Sequence, residues 1–357
     1  MGEVVVTEKK PIVRKDLTST EASVSGKNIR MLPVEDVAAV IDIQAGVVNG
    51  HFRGGRSGEV KYLIDGVEVN DAYSNTSSLS PEINSIQEVQ VITGTFNAEY
   101  GEALSGVVNQ ITKVATNKFV FGTSFYTGNY VTNRTKLFEN INNISPKNIY
   151  NFQGNISGPI PIFNNFMKFF LSGRYYNNEG YIYGKRMFNP SDSSNFSANN
   201  PKDWHIGNTG DNKYVPMQFR RRYTLQGKLS FNIGNGHSLV LNGMYQNHVY
   251  KDYDHRFKLN PDGDYTKYEQ SYLTSLNYTL VLSNSAFIDF VGSAFITKFQ
   301  QYVFQNPLDS RYVDPNRLRD VGGGSFLTGG TENWHFAHET STYSGKADLT
   351  WQIDNVN

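Results

Sequence analysis

Two groups of side chains have the residue types and spacing that metal chemistry needs. His335, His338 and Glu339 offer two imidazoles and a carboxylate within five residues, but they read as a loop cluster without a third fixed ligand, so no zinc site is expected. Asp252, Asp254, Asp262 and Asp264 offer oxygen ligands to calcium, yet they depart from the Asp-x-Asp-x-Asn-Gly pattern, and solvated carboxylates are the expected reading. Nothing else points to catalysis. The chain has no Gly-x-Ser-x-Gly elbow, no His-Glu-x-x-His and no cysteine for a nucleophile, a disulfide or a thiolate site. We therefore expect neither an enzyme nor a cofactor.

Composition narrows the partners. Formal net charge is zero, which argues against nucleic acid, since that normally demands a basic excess. At 357 residues, with 13% aromatic residues, 22 Tyr, 23 Phe and 32 Gly, the chain can hold two domains and leans toward an all-β body with many turns. No apolar run approaches the roughly eighteen residues of a membrane helix, and Met1-Gly2-Glu3-Val4 has neither a basic nor an apolar leader region. A native N-terminus other than the one seen is the expected explanation.

The segment up to Lys113 reads as a small mixed α+β unit. Asp65-Gly66 stands between Tyr62-Leu63-Ile64 and Val67-Glu68-Val69, and Asp-Gly between β-formers predicts a type I′ hairpin over 60–70. Val34, Val37, Val40 and Ile41 recur at helical spacing after Pro33, which suits a first helical turn. Ser80 and Pro81 predict the cap and first residue of another short turn, and Val89 and Val91 alternate with Glu88 and Gln90 as a strand. Gly54, Gly55, Gly58, Gly94, Gly101 and Gly106 fall at element ends. No Gly-Lys-Ser/Thr follows them, so they do not form a phosphate loop.

Taken together, Phe52-Arg53-Gly54-Gly55-Arg56-Ser57-Gly58, Tyr62 through Val67 with Asp65-Gly66, Gly94 through Gly101 with Tyr100, and Ser105-Gly106-Val107-Val108-Asn109 resemble the plug domain of TonB-dependent outer-membrane receptors. The resemblance implies a domain that blocks a barrel and couples its opening to an inner-membrane motor. It carries a departure: such plugs commonly have a second arginine where this chain has Thr93, so only Arg53 remains of the pair that meets barrel carboxylates. It also implies ligand contacts at Arg56, Ser57 and Gly58, and at Tyr73, Ser74 and Asn75, in loops that face the extracellular vestibule. Glu3-Val4-Val5-Val6-Thr7 looks like the TonB box, which pairs with the energising protein by strand addition, and the last strand of a preceding β domain is an equal reading. Residues 8–24, with Lys9, Lys10 and Lys15, read as a linker.

Beyond Lys113 the pattern becomes strictly alternating. Tyr223, Leu225, Gly227, Leu229 and Phe231 share one face while Thr224, Gln226, Lys228 and Ser230 share the other. Such alternation fits a soluble sandwich or a membrane barrel equally. Eight strands are predicted, at 118–128, 149–158, 167–178, 221–233, 238–250, 267–282, 286–300 and 342–354. Short links (159–166, 234–237, 283–285) alternate with long polar ones (129–148, 179–220, 251–266, 301–341), as in an up-and-down membrane barrel with tight periplasmic turns. Strands of about 10 to 17 residues also exceed the usual globular length of about 5 to 6.

Eight strands enclose no more than their own side chains, whereas plugged barrels have about 22, so about fourteen strands are expected to be missing. The expected organisation is a box-like segment and linker over 1–24, a plug domain over 25–115, and the N-terminal part of a transmembrane β-barrel over 116–357. The expected function is energised uptake of a scarce nutrient (siderophore, vitamin, glycan or peptide) across the outer membrane of a Gram-negative bacterium. Its partners are a TonB-type protein on the periplasmic side, outer-membrane lipid, a small nutrient ligand and, optionally, a surface lipoprotein. A passive porin or adhesin barrel and a soluble glycan-binding β protein are the alternatives; the plug motifs disfavour the first and the loop alternation the second.

Overall fold

The computed structural model describes residues 20–94, 101, 103–163, 166–312 and 326–352. Two sheets dominate these residues. The N-terminal one has five strands, β1 (Thr20–Ser25), β2 (Val60–Ile64), β3 (Val67–Glu68), β4 (Ile86–Thr93) and β5 (Gly106–Thr112), in the order β1-β4-β5-β2-β3. β2 and β5 run parallel and the other neighbours antiparallel.

The predicted hairpin is present, with Asp65 at φ 51 and Gly66 at φ 80, the positive pair that a type I′ turn requires. Asp65 is fixed there by its own carboxylate, to which Thr112 donates through its backbone N–H (2.8 Å) and its hydroxyl (2.7 Å). Gly106 is required by close approach, because a Cβ at that position would lie 2.5 Å from the Phe52 ring.

Two helical expectations are corrected. The helix after Pro33 is α2 (Val37–Asp42, following a short α1 at Gly26–Ile29), and it starts at Val37 because Asp36 caps it by accepting the Ala39 N–H at 3.0 Å. The turn expected at Ser80-Pro81 forms instead at Ile83–Ser85, since Glu82 stays extended (ψ 141) where its carboxylate meets the second sheet. Ile29, Val37, Val40, Phe52, Val60, Ile86, Val89, Val91 and Val108 make the core of this unit.

The second sheet has eight antiparallel strands in sequence order: β6 (Val120–Gly128), β7 (Ile149–Pro159), β8 (Met167–Asn178), β9 (Phe219–Gly234), β10 (His237–Lys251), β11 (Thr266–Ser283), β12 (Ala286–Tyr302) and β13 (Phe336–Trp351). It is open, with β6 and β13 at its edges. The predicted strand ends hold to within two residues from β6 to β12, whereas β13 begins six residues earlier than expected because Phe336 pairs with Gln301. Its predicted end at Asp354 lies outside the described residues.

The sidedness of this sheet decides between sandwich and barrel. The buried face is the polar one, carrying Ser172, Arg174, Thr224, Gln226, Lys228, Asn242, Gln246, Ser271 and Thr297, while Leu171, Tyr175, Tyr223, Leu225, Tyr272, Leu276 and Phe290 stand exposed on the other. A soluble sandwich would have the reverse. The polar face is covered by the N-terminal unit, whose Ile64, Val67, Val69 and Leu79 add one apolar contact with Met244, Leu273 and Phe295 of the wall.

The long links are not solvated coils. Residues 183–185 pair with 214–216, and 194–195 with 205–206. Separate loops are also stitched together: Lys185 N–H donates to the Lys258 carbonyl (2.8 Å), Gly330 to Pro190 (2.9 Å) and Glu332 to Gly263 (2.7 Å). Phe188, Met217 and Phe257 are buried in this cap.

Candidate functional site

Two ion pairs, one buried and one partly buried, join the N-terminal unit to the wall. Arg174 on β8 meets Glu82 at 2.9 Å, their side chains only 6% and 5% exposed, and the same guanidinium donates to the Glu35 carbonyl at 3.0 Å and to the Asn151 amide oxygen. Lys228 on β9 meets Asp65 at 2.8 Å, and Gln226 donates to the Thr112 hydroxyl at 3.0 Å. In both pairs the wall supplies the cation and the N-terminal unit the carboxylate. The sequence reading drew attention to a cation of the opposite origin, Arg53. Arg53 sits at φ 47 with its stem against Gly46 and its guanidinium against Gly94, which itself has φ 98.

A third attachment lies at the long-loop end. The buried Asp71 carboxylate accepts from Thr340 Oγ1 (2.8 Å), Ser74 Oγ (2.9 Å), His338 Nε2 (3.1 Å) and the N–H groups of Tyr73 and Ser74 (both 3.3 Å). Burial alone would push this carboxyl up, but the hydrogen bonds from Thr340, Ser74, Tyr73 and His338 outweigh it and hold the pKa below the usual carboxylate value. The 71–76 loop is thereby tied to β13.

Over this tie stands a group of rings. Tyr73, 64% exposed, stacks on His338 with centroids 4.5 Å apart, and Phe299 also stacks on that imidazole at 5.3 Å. Phe336 leans on Tyr73 at 5.8 Å. Asn75, at φ 54, donates to the Gly58 carbonyl and so joins the 71–76 loop to the Ser57–Glu59 turn. The loop that carries the predicted contacts Tyr73 and Asn75 is thus tied to the turn that follows Arg56. Arg56 is exposed, and its N–H donates to Glu59 at 3.0 Å.

The remaining predicted positions serve local structure. Gly54 has φ 81; the Gly101 carbonyl accepts from Lys61 at 2.9 Å; and Ser105 N–H donates to the Glu59 carbonyl at 3.1 Å. Tyr100 and residues 3–7 lie outside the described residues.

The metal candidates resolve differently. His338 and Glu339 are strand residues rather than loop residues, and His338 is engaged with Asp71. Each of the four aspartates has a cation partner: Asp252 has Arg220 and Lys267, Asp254 has Arg256, Asp262 has Arg186, and Asp264 has Lys251 at 3.7 Å; Asp252, Asp254 and Asp262 also remain open to solvent, as expected, whereas Asp264 is buried. Burial pushes the Asp264 carboxyl up to about 6. Among the described residues no group of three or more such ligands is placed to hold a metal.

Phe299, Phe336, Thr340, Arg174, Glu82 and Asp71 were missed in the sequence, and His338 and Lys228 were noted there in other roles. The one available signal was the inward parity of the cations: Arg174 and Lys228 fall on the polar positions of their strands.

Residues 13–108 match the family described as TonB-dependent Receptor Plug Domain. The TonB-dependent transporter Oar of Myxococcus xanthus is 28% identical over 85 residues, 23% of this chain and 8% of that protein. The outer membrane transporter YddB from Escherichia coli superposes with a TM-score of 0.62 at 13% identity, over 94% of this chain and 46% of that one. The siderophore receptor PirA from Acinetobacter baumannii gives 0.59 at 18% identity, again over 94% and 46%. The chain thus spans under half the length of these solved structures, and they share its fold: the plug unit followed by the antiparallel strands of the barrel.

Proposed function

We propose that this chain, which carries a TonB-dependent receptor plug domain against the strands of a TonB-dependent receptor barrel, belongs to a transporter that takes up a scarce nutrient with energy delivered by a TonB-type protein. Its strands lie in the outer membrane of a Gram-negative bacterium, with the short turns on the periplasmic side and the stitched loops outside. The observation that carries the reading is the inside-out sheet. A wall that is polar toward the plug and apolar outward suits lipid on one side and a wet lumen on the other. The plug fills that lumen and is held by three polar attachments.

The nutrient first meets the outer mouth, where Tyr73 and Arg56 stand exposed on two segments joined through Asn75. An aromatic ring with polar neighbours suits a ligand that offers both a flat face and hydrogen-bonding groups, whether siderophore, vitamin, glycan or peptide. Residues 3–7 are the handle for the energising protein. In the full-length receptor, Val5→Pro removes an N–H that strand addition needs. Energised uptake should fall to background while ligand affinity stays within about threefold, since the box touches no ligand. Normal uptake by this variant would refute the role of residues 3–7.

A further inference from the structure

At the long-loop end of the wall's outward face is an open bowl of about 570 Å³, lined by Phe125 of β6, Tyr150 of β7, Tyr175 of β8 and Arg221 of β9, with Lys147 and Glu179 from the adjoining links. Arg221 is fixed in it. Its Nε donates to the Asn177 amide oxygen at 3.2 Å and its Nη2 to the two Glu179 oxygens at 3.0 and 3.2 Å, which leaves Nη1 of a 45% exposed side chain for another partner. The same Asn177 donates to the Lys147 carbonyl at 3.1 Å and so braces residue 147 beside Arg221. Lys147 is itself exposed and has no carboxylate partner among the described residues. Two cations and one carboxylate, the latter already engaged, leave one net positive charge in the bowl. The Tyr150 and Tyr175 hydroxyls, 3.4 Å apart, add donors. A guanidinium, an ammonium and phenol hydroxyls together suit a phosphate.

What adjoins the bowl identifies the molecule that carries the phosphate. Toward the short turns the same outward face continues as an apolar groove of about 620 Å³, walled by Phe152, Leu171, Leu225 and Tyr272. Its floor lacks side chains, because Gly154 lies opposite Gly173 across β7 and β8, and Gly227 opposite Gly243 across β9 and β10. At Gly243 a Cβ would meet nothing within 4 Å, and glycine weakens a strand, so the chain's own packing does not call for glycine there. A row of tyrosines joins bowl to groove. Tyr150 and Tyr175 have ring centroids 5.6 Å apart, Tyr175 pairs with Tyr223 across β8 and β9, and Tyr223, Tyr245 and Tyr272 follow at 6.3 and 4.9 Å. Such a row marks the depth at which hydrocarbon gives way to head groups. Lys147 and Arg221 therefore stand at head-group depth, and the glycine floor at acyl depth.

We propose that bowl and groove together hold one molecule of the phosphorylated glycolipid of the outer leaflet, lipid A, with a phosphate on Lys147 and Arg221 and an acyl chain along the glycine floor. The charge of the bowl selects an anionic head group and the apolar groove beneath it a lipid. Sidedness selects lipid A over a phospholipid, since the bowl lies at the long-loop end; this rests on the outer-membrane reading, which puts that end outside.

The test is native mass spectrometry of the full-length receptor, stripped of lipid in detergent and titrated with lipid A bearing both phosphates, with the same lipid after removal of its phosphates, and with phosphatidylglycerol. The phosphorylated lipid A should bind about fivefold or more tighter than either of the others. Lys147→Gln and Arg221→Gln should each weaken that binding about fivefold, roughly one cation's share at a membrane surface, and the difference should shrink as salt is raised. Lys147→Gln puts folding least at risk, because the exposed Lys147 ammonium has no ion-pair partner to lose. Lys298→Gln, on β12 away from the bowl, where Lys298 pairs with Glu339 at 3.1 Å, should leave binding unchanged. No binding of phosphorylated lipid A, equal or better binding of either other lipid, full binding by Lys147→Gln, or an equal loss in Lys298→Gln would overturn the proposal. Because binding is read without energy or nutrient, this result and the uptake result with Val5→Pro can fail independently.

Discussion

Removing either member of the Arg174–Glu82 pair should loosen the plug, and removing both should nearly restore it. The two side chains are 6% and 5% exposed, so solvent screening discounts the interaction little. Breaking a buried pair from one side leaves an uncompensated charge and costs about 3 to 5 kcal/mol, whereas replacing both partners by apolar side chains of similar volume is often near neutral. Glu82→Met leaves Arg174 with the Glu35 carbonyl and Asn151, and Arg174→Met leaves Glu82 with no cation at the wall. The first should therefore cost toward the lower figure and the second toward the upper one. Hydrogen exchange of the Ser85 amide reads this directly, because its N–H is bonded to the Glu82 carbonyl at 2.8 Å. Protection in the full-length receptor should fall roughly a hundredfold or more in each single variant, at about 1.4 kcal/mol per tenfold. In the double variant the loss should be much smaller than the sum. A double-mutant coupling below about 0.5 kcal/mol would mean that the pair is not what ties the plug to β8.

The Asp71 attachment should be acid-labile. Its folded pKa is lowered, so it contributes stability above the unfolded value of about 3.9 and loses it as pH falls through the folded value. The protection of the Asn75 amide relative to its intrinsic exchange rate at each pH, with its N–H bonded to the Asp71 carbonyl at 2.7 Å, should therefore be flat from neutral pH down to about pH 5 and fall only in stronger acid, and Asp71→Asn should abolish that acid step. A step near neutral pH would point to another group. For orientation, cysteines at Asn235 and Asn284 in the full-length protein should resist an impermeant thiol reagent applied to intact cells, while one at the exposed Asn195 should react. Equal labelling of all three would reverse or remove the assigned sidedness.

The sheet was legible because its signals are local. Strand length, period-two alternation and the Gly234-Asn235-Gly236 and Asp65-Gly66 turns each sit within a few residues, and the turns appear with the positive φ values their residue types favour. The start of β13 was not legible, because residues 336–341 are held in the strand by pairing with β12, a partner about forty residues away in sequence. The same holds for the plug attachments. Glu82 and Arg174 are 92 positions apart, and Asp71 and Thr340 are 269 apart. Neither spacing carries any motif. The long links read as polar and solvated because their composition is polar, yet Arg186 pairs with Asp262, and Lys251 with Asp264 and the Pro261 carbonyl.

If the plug unseats, as the proposed transport requires, the inward face of the wall sets how it can leave and return. A gate seated in a dry socket would expose a sticky surface every time it moved, and the open state would invite collapse or mispairing. Here the uncovered wall would present mostly amides, hydroxyls and charges, groups that water solvates readily, with Met244, Leu273 and Phe295 as its chief apolar patch against the plug. Under the proposed function, withdrawal would exchange protein partners for water at small net cost per bond, so the attachments would act as a latch that can be undone and remade, and the bared lumen would stay wettable.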